Sequence, residues 1–199
     1  MTAAMAPDEL FLRYAYSCAE VQRDHLHAVT DGELAKVRRM LDREDATDDA
    51  FLKSVYPAAF RRLELIAKET KSAPLTTETL DAYFIVYHNA FIDAGDGSYA
   101  KLPRWTCEYC KVHVARVTEV LVQDGHRAFR IEPYEHAVFR QAGVSGDLVP
   151  EAKAGDLVVI HQGWAVKTVE PSYYERLKKA YQATKLFSGL TQKAQALRS

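Results

Sequence analysis

Val112-His113-Val114-Ala115-Arg116-Val117-Thr118-Glu119-Val120-Leu121-Val122-Gln123-Asp124-Gly125-His126 is where the chain changes period. Val112, Val114, Arg116, Thr118 and Val120 alternate with His113, Ala115, Val117, Glu119 and Leu121, and β-branched types dominate. A repeat of two with that composition is a strand, not a helix. Gln123-Asp124-Gly125 is a hairpin signal, because Asp-Gly tolerates the positive φ that a tight two-residue turn requires. His126 to Ile131 then reads as the return strand. Towards the C-terminus, Tyr134 to Arg140, Leu157 to Ile160 and Trp164 to Val169 read as further short strands, separated by Gly- and Asp-containing turns. Short strands spaced in this way suggest a small barrel. From Ser172 the pattern is helical, with Tyr174, Leu177, Tyr181 and Leu186 on one face, and residues 183–199 read as a tail.

Working back towards the N-terminus, the reading is helical. Asp8 to about Val29 carries Leu10, Phe11, Tyr14, Cys18 and Val21 at helical spacing. Thr30-Asp31-Gly32-Glu33 is a capping-box pattern that predicts a helix with Leu34, Val37 and Leu41 on its buried face. Another helix is expected from about Asp48 towards Tyr56. Pro57 can open the next, which ends near Thr70, since its missing N–H costs nothing in a first turn. After Pro74, Thr76 or Thr77 can cap a helix bearing Leu80, Tyr83, Phe84, Tyr87 and Phe91. The turn-rich Asp93-Ala94-Gly95-Asp96-Gly97-Ser98 suggests a boundary between there and Pro103. The expected fold class is therefore α+β: a helical N-terminal domain over residues 1–100, then a small OB-like β-barrel with a C-terminal helix over 105–182.

Composition narrows the functional classes. The chain has 199 residues, 48% of them apolar and 27% charged, which fits a folded domain and not a disordered chain. Its 26 basic and 27 acidic residues leave a net charge of −1, so no global field draws it to nucleic acid or anionic lipid. The charge is uneven: residues 1–104 carry 13 basic and 17 acidic side chains, residues 105–199 carry 13 and 10. No apolar run approaches a membrane span, and Met1 to Pro7 lacks the basic and long apolar regions of a signal peptide. Three cysteines, an odd number, agree with a reducing compartment, and a cytoplasmic location is expected.

The chemistry concentrates in Trp105-Thr106-Cys107-Glu108-Tyr109-Cys110-Lys111-Val112-His113. Cys107 and Cys110 have a spacing that lets two sulfurs face one ion or each other, and His113 adds a third donor. Thiolate and imidazole together suit zinc or iron. A closed zinc site needs four ligands, and no second Cys-x-x-Cys follows; the plainer reading makes both cysteines small buried hydrophobes. Elsewhere, His25 and His27 lie two apart on a helix and point to different faces. His88 reads as a boundary residue, Cys18 as core, and His126 and His136 as solvent-facing. Lys178, Lys179, Lys185, Lys193 and Arg198 read as an exposed basic face. No nucleophile–base pair or carboxylate pair can be placed, so a free-standing enzyme is not expected.

The order of residues around Cys110 resembles the opening of the HypC/HupF hydrogenase maturation chaperones, with Cys110, Arg116, Val117, Glu119 and Val120 in register. Leu148 to Val166 resembles the second block of that family, where Gly155, Asp156, His161, Gly163 and Ala165 match in order. Glu170 to Tyr181 is similar to its C-terminal helix, so the resemblance spans about residues 107–182 and leaves the helical half uncovered. The family's terminal cysteine is internal here, and Val114-Ala115 replaces the Pro-Gly that usually follows it. The resemblance implies a barrel that binds a scaffold protein and the precursor of the nickel–iron hydrogenase large subunit. It implies that Cys110 holds iron or a partner thiol and that His161 assists, with Cys107 and His113 as further donors. The alternative is a non-catalytic structural or interaction module built on a relic barrel, whose aromatic-rich helical faces bind a partner or a second copy of the chain. A barrel of this type can also bind single strands through Trp105, Tyr109 and Trp164, but the small positive charge of this half argues against nucleic acid.

Overall fold

The computed structural model describes residues 5–26, 28–135 and 143–198. The chain forms two compact units, Met1–Tyr83 and Phe84–Ser199. The division falls inside the helical stretch that precedes the Asp93-to-Ser98 turns. His27, His136 and most of the strand expected over Tyr134 to Arg140 lie outside the described residues.

The first unit is helical: α1 (Pro7–Val21), a π-helical segment (Gln22–Leu26), α2 (Asp31–Leu41), α3 (Asp49–Val55), α4 (Pro57–Thr70) and α5 (Thr77–Asp81). Each start has its chemical cause. The Thr30 hydroxyl accepts from the Glu33 N–H while the Glu33 carboxylate accepts from the Thr30 N–H, which completes the capping box. Asp48 and Thr76 cap α3 and α5 by accepting from Phe51 and Thr79, and Pro57 occupies the first turn of α4. The core gathers Phe11 against Tyr56 and Phe60 at ring separations of 5.5 and 5.0 Å. Tyr14 reaches the buried Asp81 carboxylate at 3.3 Å.

In the second unit, the rest of a π-helical segment (Ala82–Tyr87) leads into α6 (His88–Asp93), a 3₁₀ turn (Gly97–Lys101) and α7 (Arg104–Tyr109). Among the described residues five strands follow: β1 (Val112–Gln123), β2 (His126–Pro133), β3 (Val144–Ser145), β4 (Leu157–His161) and β5 (Trp164–Thr168). Their order is β1-β2-β3-β5-β4, and β1 pairs with β4 to close the barrel. The α+β class with a small barrel is thus the observed architecture. Asp124 and Gly125, at φ 51° and 81°, form the two-residue turn expected between β1 and β2, and Gln162 and Gly163, at 49° and 86°, repeat it between β4 and β5. Among the described residues no helix is long and apolar enough to cross a membrane.

The barrel core comprises Ala115, Val117, Phe129, Val144, Val149, Ala152, Val158, Ile160 and Ala165. Strict alternation along β1 would carry Ala115 and Val117 inwards and Glu119 and Leu121 after them. The register instead slips between Val117, opposite Ile131, and Glu119, opposite Arg130. Thr118 is the extra residue of a β-bulge, and the slip turns Val120 towards the core while Glu119 and Leu121 stay exposed. The sequence pattern alone does not announce the slip, because Thr118 and Glu119 are ordinary strand residues.

Two helices complete this unit, α8 (Pro171–Gln182) and α9 (Lys185–Ala196). α8 buries the expected Tyr174, Leu177 and Tyr181. The segment read as a tail is therefore mostly α9, capped by the Thr184 hydroxyl on Phe187 N–H. Its anchor is Tyr87, fully buried, whose ring lies 5.9 Å from Phe187 and 6.1 Å from Tyr181 and whose hydroxyl is 2.6 Å from that of Thr184. Gly189 and a sparse apolar stripe conceal this helix in the sequence.

Gly146 sits where no side chain fits. A Cβ there would lie 2.6 and 2.8 Å from ring carbons of Phe129, which is fully buried in the barrel. Gly146→Ala is expected to destabilise the protein by about 1–3 kcal/mol through overpacking. Gly143→Ala, whose Cβ meets nothing within 4 Å, should stay within about 0.5 kcal/mol of wild type. Urea denaturation of the two variants side by side measures the difference.

Candidate functional site

Cys107 and Cys110 lie on and just after α7, a short helix that the sequence reading did not anticipate. The helix separates their side chains. The Cys107 sulfur, partly buried, turns to the carbonyls of Tyr99 and Leu102 at 3.6 and 4.0 Å. Cys110, buried, accepts a hydrogen bond on its sulfur from Gln162 Nε2 at 3.1 Å. No disulfide joins them.

His161 closes β4 and is opposite Val112 in the barrel register, which brings it to Cys110. Its Nε2 meets the Cys110 carbonyl oxygen at 3.1 Å. The contact is to backbone, not to sulfur. His113 stands on β1 opposite Ile160, half-buried, and burial with Lys111 nearby depresses its basicity. The four expected donors therefore share one end of the barrel, yet among the described residues no three of them converge on a common point.

Electrostatics keep the Cys110 thiol quiet. Burial pushes its pKa up to about 11, against the opposing pull of the Gln162 amide hydrogen. Burial also raises Cys107, helped by Glu108. A nucleophilic or docking thiol is normally exposed and electropositive. Cys110 in this closed arrangement is neither. Gln162, which covers the sulfur, sits in the left-handed region at the β4–β5 turn and is 95% buried. Among the described residues its buried Oε1 has no hydrogen-bond partner, while its carbonyl accepts from Tyr109 Oη at 3.2 Å.

The residue the sequence reading underestimated is His88. Read as a boundary residue, it is 1% exposed. Its neighbour Asn89 explains why. The Asn89 side chain donates to the Val112 carbonyl at 2.7 Å and accepts from the Val112 N–H at 2.8 Å, pinning α6 to the first residue of β1. That bond places the His88 ring 5.1 Å from the ring of His161, at 80° to it. One donor nitrogen of each ring lies within 4.8 Å of the other, near enough for the pair to grip one metal ion. Phe84 lies against both rings, at 5.8 and 6.0 Å, and the Tyr99 hydroxyl is 3.3 Å from His88 Nε2. His88, four residues after Phe84 on an apolar helix, was the only sequence signal for this pair.

The other candidates are local. His126 is exposed and pairs with Asp147 at 2.9 Å. Cys18 is partly buried on α1. Asp93, which ends α6, is paired with Lys111 at 2.9 Å and Arg198 at 3.3 Å. Lys178 pairs with Glu135, so it does not belong to a purely solvated basic face. Comparison with protein families, with curated proteins and with solved structures finds no match.

The raised Cys110 pKa carries a pH signature. The folded state holds its proton more tightly than the unfolded chain, whose thiol titrates near 9. The thiol's stabilising contribution is thus complete below pH 9 and is lost as pH rises towards 11. Over that interval wild type should lose on the order of 3 kcal/mol more than Cys110→Ala. Denaturation midpoints of both proteins across the interval test it; parallel curves would place Cys110 in water.

Proposed function

We propose that the chain is a non-catalytic accessory protein of nickel–iron hydrogenase assembly that acts in the cytoplasm. Its barrel docks on the large-subunit precursor or on a maturation scaffold protein. The observation that supports this reading best is the junction of Cys110 and His161. These are the two positions at which the sequence resembles the HypC/HupF cysteine and histidine, and they meet at one barrel end, 3.1 Å apart through the Cys110 carbonyl.

In this reading iron is cargo and Cys110 is its docking thiol. The donor suits a low-valent iron, since a thiolate is a soft ligand. Cys110 is nonetheless closed in by Gln162, so cargo or a partner thiol reaches it only after Gln162 moves. Docking supplies the reason to move. Trp105 and Tyr109, one helical turn apart on α7, are 60% and 46% exposed, and a partner that covers them would press on Tyr109, which donates to the Gln162 carbonyl.

The burial of the sulfur favours a second reading, in which the barrel is a pure docking module and Cys110 is only packed inside it. One experiment separates the two. The tagged full chain is expected to co-purify with the large-subunit precursor or the scaffold, and Cys110→Ala to lose both that capture and hydrogenase maturation. Full maturation by Cys110→Ala would end the carrier role and leave the docking module. Absence of both partners from the wild-type preparation would overturn the hydrogenase reading.

A further inference from the structure

The buried imidazole pair does not depend on the hydrogenase reading. We infer that His88 and His161 form a transition-metal site, each ring binding through Nδ1 and each held in place by an oxygen on Nε2. A carbonyl oxygen can only accept, so the 3.1 Å contact with Cys110 requires that His161 Nε2 carry the hydrogen. The basic lone pair of the neutral ring is then on Nδ1. His88 Nε2 is likewise 3.3 Å from the Tyr99 hydroxyl, which accepts from it when His88 Nδ1 is the ligand. Metal-binding histidines are characteristically arranged in this way: the second nitrogen donates to a carbonyl or another oxygen, which fixes the tautomer and raises the basicity of the first.

The remaining geometry agrees. One nitrogen of each ring lies within 4.8 Å of one on the other, against the roughly 3.4 Å that two ligands keep across a tetrahedral ion with 2.0–2.1 Å bonds. Asn89 sets α6 against β1, and the β4 register sets His161, so both ligands stand on anchored elements. Phe84 packs against both rings and helps to fix their orientation. Two imidazoles select a borderline divalent ion, with zinc(II) or nickel(II) ahead of magnesium or calcium. The site differs from the cysteine-based one that the sequence suggested: it uses His161 but replaces the sulfurs with a second imidazole.

Zinc(II) and copper(II) are the probes, added to the full chain during refolding so that the buried site is reached. Zinc is expected to bind at one equivalent and raise the melting temperature, with magnesium doing neither. The copper form should show nitrogen hyperfine splitting from two imidazoles. His88→Phe, which keeps an aromatic ring beside Phe84, should fold, lose the zinc-induced shift and leave one nitrogen or none. Tyr99→Phe removes only the oxygen on His88 Nε2 and should weaken zinc about tenfold, read against its own metal-free form. Zinc binding that survives His88→Phe unaltered, or refolded wild type that takes up no zinc, would overturn the site. Neither result bears on capture of the hydrogenase partners, which is read without added metal.

Discussion

Two hydrogen bonds from one side chain organise the second unit. Asn89 offers its amide to both backbone groups of Val112, at 2.7 and 2.8 Å, and so substitutes for the neighbour strand that the first residue of β1 would otherwise need. Without that clamp Val112 would present an unsatisfied donor and acceptor beside a closed barrel. With it, α6 is fixed to the end of the barrel where β4 delivers His161. The approach of His88 to His161 follows from where α6 is held, and Cys110 meets His161 through the β1–β4 register.

The same end of the barrel contains a tension between identity and environment. Cys110 and His161 are metal donors by residue type, yet the histidine is spent on a backbone carbonyl and the sulfur on an amide hydrogen. Burial raises the thiol far above the range in which it would be ionised at neutral pH. Gln162 adds to it. It adopts a positive φ, buries an amide and, among the described residues, leaves Oε1 without a partner, each a cost that a residue with no role beyond closing a turn would avoid. Its amide nonetheless meets the Cys110 sulfur at 3.1 Å.

The imidazole pair is the feature that sequence spacing concealed. His88 and His161 are far apart in the chain and on elements of different type, so no motif links them. Only the α6–β1 clamp and the β1–β4 register together bring the rings within 5.1 Å. Cys107, Cys110 and His113, by contrast, form a compact sequence motif that the fold pulls apart. A single helical turn sends one sulfur to the Tyr99 carbonyl and the other to Gln162.

The sequence by itself determined the helical half and the barrel. Capping residues at Thr30, Asp48 and Thr76 act within three residues, the alternation of β1 is local, and Asp124-Gly125 writes its own turn. Such signals survive in one dimension because the interactions behind them span a few bonds. Tertiary structure alone settled the bulge at Thr118, the helix α9 in place of a tail, and the partners of every candidate donor. Each depends on packing between distant residues: the barrel must keep Glu119 out, Tyr87 must find Phe187, and Asn89 must reach Val112. Contacts of that range leave no periodic trace in the chain that makes them.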